Sequence, residues 1–214
     1  MKNNYVADIK IIVVGNAYTG KTSFVKRWTG GKFQDKYKAT IISQFGCKTI
    51  HLNGLIYNIH IWDIAGQDRS PTITKLFVKD STGAIVMADA TDKKSLEDTT
   101  KWKNEIFDKI NYETESNNIP VMLLQNKIDL ISEQEKKDNE RVLKKLVQEH
   151  NFSKFFQISA KTGKNINEAM GYIISEIIDR LKDNNLKRSN ASNTNFLKYT
   201  NISERSGKED KKCC

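Results

Sequence analysis

Apolar residues in this chain fall into six short runs with strand spacing and four longer stretches with helix spacing. Ile9-Lys10-Ile11-Ile12-Val13-Val14 is a β-branched run of strand type. Phe24 to Trp28 reads as the opening of a helix that Thr29-Gly30-Gly31 brings to a stop. Lys32 to Gln44 is polar without a clear period. Phe45 to Leu52 alternates loosely, Asn53-Gly54 is a tight-hairpin signal, and Leu55 to Trp62 alternates as a returning antiparallel strand does. Gly83 to Ala88 and Pro120 to Gln125 are continuous apolar runs, the mark of strands buried on both faces. Phe155 to Ile158 is a further short strand. Helical periods run from Ser95 to Ile110, from Glu133 to His150 with Val142, Leu143, Leu146 and Val147 inward, and from Ile166 to Leu181.

Strands that alternate with helices predict an α/β fold: a six-stranded, mostly parallel sheet with one antiparallel strand and helices on both faces. Ligands of such sheets sit at the carboxyl ends of the strands. Four motifs fall at those ends. The first is Gly15-Asn16-Ala17-Tyr18-Thr19-Gly20-Lys21-Thr22-Ser23, which fits the phosphate-loop pattern between a strand and a helix. Its two glycines let the backbone curl so that amides point at phosphate oxygens, and the new helix adds its positive end. Lys21 can reach the outer phosphates, and the Thr22 hydroxyl is a ligand for Mg²⁺. A chain of this length matches the pattern by chance roughly once in a hundred.

The second motif is Asp63-Ile64-Ala65-Gly66, at the tip of a strand and about 40 residues after the loop. Asp63 can hold Mg²⁺ through water, and the Gly66 amide can approach a γ-phosphate. The third, Asn126-Lys127-Ile128-Asp129, carries base choice. A carboxylate accepts two hydrogen bonds side by side; guanine offers such a pair and adenine does not, so Asp129 is the discriminator. The Lys127 stem can lie against a ring, and Asn126 can tie loops together. The fourth, Ser159-Ala160-Lys161, can present an amide to the guanine O6.

The net charge of +9 raises nucleic acid or an anionic membrane as partners. The charge is spread, with +6 before residue 183 and +3 from Asp183 onward, and no nucleic-acid arm stands out. There is no signal peptide and no run long enough to cross a bilayer. His51 and His60 read as strand-surface residues, and Cys47 as an ordinary packed one. From Asp183 onward Asn, Ser and Lys dominate, so residues 1–182 form the domain and 183–214 a flexible tail. The tail ends Lys211-Lys212-Cys213-Cys214; with lysine at position 211 there is no C-a-a-X box.

Together these motifs resemble the Ras-like small GTPases, and specifically the Rab family, from about Asp8 to Leu181 and again at the terminal Cys213-Cys214. The look is nearest to Rabs that read I-A-G-Q at the second switch. The resemblance implies a GTPase domain that binds GTP or GDP with Mg²⁺, slowly converts GTP to GDP, and recruits effectors in membrane trafficking. Phe33, Tyr37, Thr40, Ile41 and Phe45 match the first switch. Thr40 would then bind Mg²⁺ and the γ-phosphate, and Gln67 would orient the attacking water. Phe45, Trp62 and Phe77 match an aromatic triad that faces effectors. The terminal cysteines resemble a double geranylgeranyl signal, and two lipid chains give lasting attachment beside the tail lysines. By the same resemblance the partners are an exchange factor, a GTPase-activating protein, effectors, a prenyl-transfer escort and a GDP-dissociation inhibitor. The place is the cytoplasmic face of intracellular membranes, with a soluble cytosolic pool.

Three departures stand out. Ala17-Tyr18 replaces smaller residues in the loop, Ile42 replaces a glycine of the first switch, and Ser70-Pro71 replaces an aromatic after Asp68-Arg69. No arginine of this chain occupies a position to act in cis, which implies slow turnover and an arginine donated by a partner. Two functional readings stay open at this point. One is an enzyme used as a timer, and the other a GTP-binding module in which Tyr18, Ala17 and Ile42 suppress hydrolysis.

Overall fold

The computed structural model describes residues 6–31, 44–64, 77–110 and 119–191. Six strands form one sheet in the order β2-β3-β1-β4-β5-β6. They are β1 (Val6–Val14), β2 (Gln44–Leu52), β3 (Leu55–Asp63), β4 (Gly83–Asp89), β5 (Val121–Asn126) and β6 (Lys154–Gln157). Only the β2–β3 pair is antiparallel, joined at the Asn53-Gly54 turn where both residues have positive φ. The other neighbours run parallel. The order reverses direction beside β1, and the carboxyl end of β1 is therefore where a crevice opens.

Alternation along the strands divides the core in two. Ile9, Ile11 and Val13 of β1, with Ile85 and Met87 of β4 and Met122 and Leu124 of β5, face α1 (Lys21–Trp28) and α5 (Ile166–Ala191). Ile12, Val14, Val86 and Leu123 point the other way, toward α3 (Thr99–Ile110) and α4 (Glu133–His150). Every residue of β4 and β5 is buried, as a parallel sheet covered on both faces requires. His51 is exposed, and His60 lies on the strand surface with Nε2 3.1 Å from Asp8 Oδ1.

Three helices differ from their sequence periods. The stretch expected as one helix from Ser95 is two: α2 (Lys93–Glu97) is capped by the Asp92 carboxylate, and α3 follows after Asp98. Hydroxyls of Thr99 and Thr100 donate to the carbonyls of Leu96 and Glu97 and compete with the regular ladder at the junction. α5 continues past Leu181 to Ala191, because nothing between those residues is a glycine or proline that would stop it. α4 starts on a capping box between Ser132 and Glu135, as its acidic opening suggests. Its inward stripe passes through Leu143, which is 0% exposed, with Leu146 and Val147 half-buried; Val142 is 47% exposed and does not belong to it.

This phase has a measurable consequence. Leu143→Ala leaves a cavity and is expected to cost about 2–5 kcal/mol in urea unfolding with nucleotide present. Val142→Ala is expected within about 0.5 kcal/mol of wild type. Equal costs for the two substitutions would contradict the observed rotation of α4.

Candidate phosphate and base site

The chain leaves β1 at Gly15, which sits at φ +141°, and a Cβ there would stand 2.2 Å from the Met87 carbonyl oxygen of β4. Gly20 caps α1 at φ +89°, and a Cβ there would meet Asn126 Nδ2 at 2.4 Å. Glycine is therefore required at both ends of the loop. α1 begins at Lys21, so the N–H groups of Lys21, Thr22 and Ser23 open toward the loop. No acidic side chain occupies that first turn to compete for an anion. Ala17 is half-buried, and Tyr18 stands at φ +67° with 60% of its surface exposed. Thr19 is buried and donates its hydroxyl to the Asn16 carbonyl at 2.9 Å.

Lys21 lies across this loop. Its Nζ donates to the carbonyls of Gly15 and Asn16, each at 2.9 Å. Burial pulls the Lys21 ammonium down to about 8, opposed by the charge of Asp63. Asp63, the last residue of β3, is fully buried. The Thr22 hydroxyl donates to its Oδ2 at 2.5 Å, while its Oδ1 accepts no hydrogen bond among the described residues. Burial raises the Asp63 carboxyl above its ordinary value, against the pull of Thr22, Lys21 and Lys26. A buried carboxylate oxygen without a partner beside a threonine hydroxyl is a hard-oxygen donor set. It fits Mg²⁺, which takes few protein oxygens and keeps several waters. No cluster of three or more His, Cys, Asp or Glu is gathered for a metal among the described residues, and the strand histidines are no part of this site.

The base motif joins the phosphate loop directly. Asn126 Nδ2 donates to the Thr19 carbonyl at 2.9 Å, and Asn126 Oδ1 accepts from the Ala160 N–H at 2.9 Å. The amide of Ala160 is thus held by Asn126 and turned inward. Lys127 adopts a left-handed backbone at φ +67° and reaches Asp89 Oδ2 at 2.6 Å. Asp129 stands exposed in a 3-10 turn, with Oδ1 held by the Ser159 hydroxyl at 2.6 Å. Lys127 is half-buried.

Phe45, Trp62 and Phe77 form one contiguous aromatic row. Ring centroids lie 5.2 Å apart for Phe45–Trp62 and 5.5 Å for Trp62–Phe77. His60 extends it, stacked on Phe45 at 5.5 Å. Thr40, Gly66 and Gln67, the switch residues Phe33, Tyr37, Ile41, Ile42, Arg69, Ser70 and Pro71, and the cysteines Cys213 and Cys214 lie outside the described residues.

Sequence spacing did not reveal two ties to this site. Arg27 of α1 donates from Nε to the Ala160 carbonyl at 2.9 Å and from its terminal nitrogen to the Lys161 carbonyl. The Asn16 side chain bonds Asp98 and Trp102 at the start of α3. Both pairings span more than 80 residues, and no local pattern announces them.

The Ras family model matches residues 10–179 of this chain. Ras-related protein Rab-32A of Dictyostelium discoideum is 35% identical over 170 residues, covering 79% of this chain and 77% of that one. Ras-related protein Rab-32 of Sus scrofa is 34% identical over 173 residues, covering 79% and 74%. Ras-related protein Rab-7L1 of Homo sapiens is 32% identical over 170 residues, covering 79% and 82%.

The lowered Lys21 value sets a pH dependence. Without a ligand, Lys21 loses its proton as pH rises through about 8. Phosphate beside it favours the charged form, so binding above that pH takes up a proton and affinity falls as pH rises. Calorimetry of GDP binding at alkaline pH, in buffers of different ionisation enthalpy, is expected to show this uptake in wild type and not in Lys21→Met. No uptake in wild type would contradict the assignment.

Proposed function

The chain belongs to the Ras family, in its Rab branch, and from that membership we propose how its residues divide the work of a GTP-hydrolysing switch. As a Rab-type small GTPase in membrane trafficking, it converts GTP to GDP and phosphate. The Gly15–Ser23 loop and the first turn of α1 cradle the phosphates, and Lys21 carries the positive charge to the outer ones. Thr22 and Thr40, with Asp63 through water, would hold Mg²⁺, which when bound bridges phosphate oxygens and neutralises charge. Gln67 orients the attacking water. Asp129 accepts the paired donors of guanine, held in place by Ser159, while Lys127 lies along the ring. Asn126 and the Ser159–Lys161 loop close that side.

The observation that carries this reading is the Asp63 carboxylate, buried with one oxygen unpartnered and the other bonded to the Thr22 hydroxyl at 2.5 Å. A cation held beside that oxygen would supply the partner it lacks.

Switching follows from contacts that exist only with the γ-phosphate. Thr40 and the Gly66 amide are held in the GTP state and released after hydrolysis, which presents or withdraws the Phe45–Trp62–Phe77 row to effectors. An exchange factor and a GTPase-activating protein set the two rates, the latter with a donated arginine. Residues 1–182 carry the switch. The tail from 183 carries Cys213 and Cys214, which take geranylgeranyl groups that anchor the protein on the cytoplasmic face of a membrane. An escort protein for prenylation and a GDP-dissociation inhibitor would handle the lipidated chain and sustain its cytosolic pool. No helix among the described residues is long and apolar enough to cross a membrane.

Single-turnover hydrolysis of bound GTP tests this directly, with wild type beside Gln67→Leu and excess ATP as competitor. The expected result is slow cleavage that ATP does not suppress and that Gln67→Leu slows roughly tenfold or more. GTP retained uncleaved in both proteins would overturn the timer in favour of a binding module obstructed at Tyr18. Displacement by ATP would overturn the role of Asp129.

A further inference from the structure

We propose that Asn16 is a positioning residue for Lys21, a strut that ties the phosphate loop to the α2–α3 junction; this rests on the phosphate-loop assignment above. Both halves of its side-chain amide are used. Nδ2 donates to Asp98 Oδ2 at 3.0 Å, and Oδ1 accepts from Trp102 Nε1 at 2.8 Å. An indole N–H only donates and a carboxylate only accepts, so the amide has one permitted orientation. Trp102 and Asp98 are themselves anchored. Trp102 is 5% exposed and packs in the core beneath α3. Asp98 is 8% exposed, and its other oxygen takes Lys101 Nζ at 3.0 Å and Lys94 Nζ at 3.4 Å. The Asn16 hydrogen bond, with Lys101 behind it, holds the Asp98 carboxyl down at about 2, so it stays a charged acceptor at any physiological pH.

On the other side of the same residue, the Asn16 backbone carbonyl accepts from Lys21 Nζ and from the Thr19 hydroxyl, both at 2.9 Å. The side chain is therefore fixed from α3 while the carbonyl aims the lysine. With the side chain released, the peptide can turn, and Lys21 loses one of its two carbonyl acceptors and its direction. The helix junction thus acts on the phosphates without touching them.

The polarity of the pair provides the test. A carboxylate at position 16 would face the Asp98 carboxylate at hydrogen-bond distance and repel it. Exchanging the two groups restores one donor and one acceptor, and keeps a partner for Trp102 and an oxygen for Lys101. The full-length chain is loaded with a fluorescent GDP and chased with unlabelled GDP well below its melting transition. Asn16→Asp is expected to release nucleotide about tenfold faster than wild type. The double variant Asn16→Asp with Asp98→Asn is expected to return to within about twofold of wild type. Wild-type release by Asn16→Asp, or a double variant as fast as the single, would overturn the proposal. Where Asn16→Asp does not fold, Asp98→Ala is expected to speed release in the same direction. A lowered melting temperature with an unchanged release rate in Asp98→Ala would show a role in folding only and overturn it. Lys21→Ala separates the two levels: wild-type retention of GDP by it would overturn the phosphate-loop assignment and this inference with it, whereas faster release by Lys21→Ala beside wild-type release by Asn16→Asp would overturn this inference alone.

Discussion

One buried side-chain amide joins the halves of this site. Asn126 closes β5, is 2% exposed, and bonds the Thr19 carbonyl of the phosphate loop with one end and the Ala160 N–H of the base loop with the other. A buried amide satisfied at both ends tolerates little displacement of either partner. The Gly20 backbone lies so close that a Cβ would stand 2.4 Å from the amide nitrogen. Arg27 adds a second tie, from α1 to the carbonyls of Ala160 and Lys161. The Gly15–Ser23 loop and the Ser159–Lys161 loop are therefore held against each other from two sides.

Electrostatics then makes the nucleotide part of the fold. Burial pushes Lys21 and Asp63 toward their neutral forms, each partly relieved by the other. Phosphate and Mg²⁺ would restore both charges. Such a protein is most stable when loaded, because anything that binds the native state alone adds to its stability. Exchange then has to dismantle an arrangement that the ligand itself completes, which suits a switch whose rates are set by partners.

Much of this was legible in the sequence, for physical reasons that differ by element. Strands buried on both faces are continuous apolar runs, so β4 and β5 stand out, and the Asn53-Gly54 turn announces the one antiparallel pair. Asp63 and Asn126 close their strands, and Gly15, Gly20, Lys21 and Asp129 lie in the short segments that follow strands, so motifs of fixed spacing announced them. The phase of α4 was harder to read. Val142 and Leu143 are adjacent and both apolar, but a helical stripe admits only the one aligned with Leu146 and Val147. The break at Asp98 was not legible, since it depends on a carboxylate drawn toward Asn16 and on threonine hydroxyls competing with the ladder. Asn16–Trp102 and Arg27–Ala160 pair residues 86 and 133 positions apart, and only the folded sheet brings them together.

The claim that Asn126 holds phosphate loop and base loop as one unit is tested most directly by hydrogen–deuterium exchange. The full chain is compared with Asn126→Ala, each with saturating GDP. The account predicts that amides of residues 15–22 and of residues 158–163 lose protection together in the variant, by similar factors. Loss confined to either segment, with the other as protected as in wild type, would contradict it.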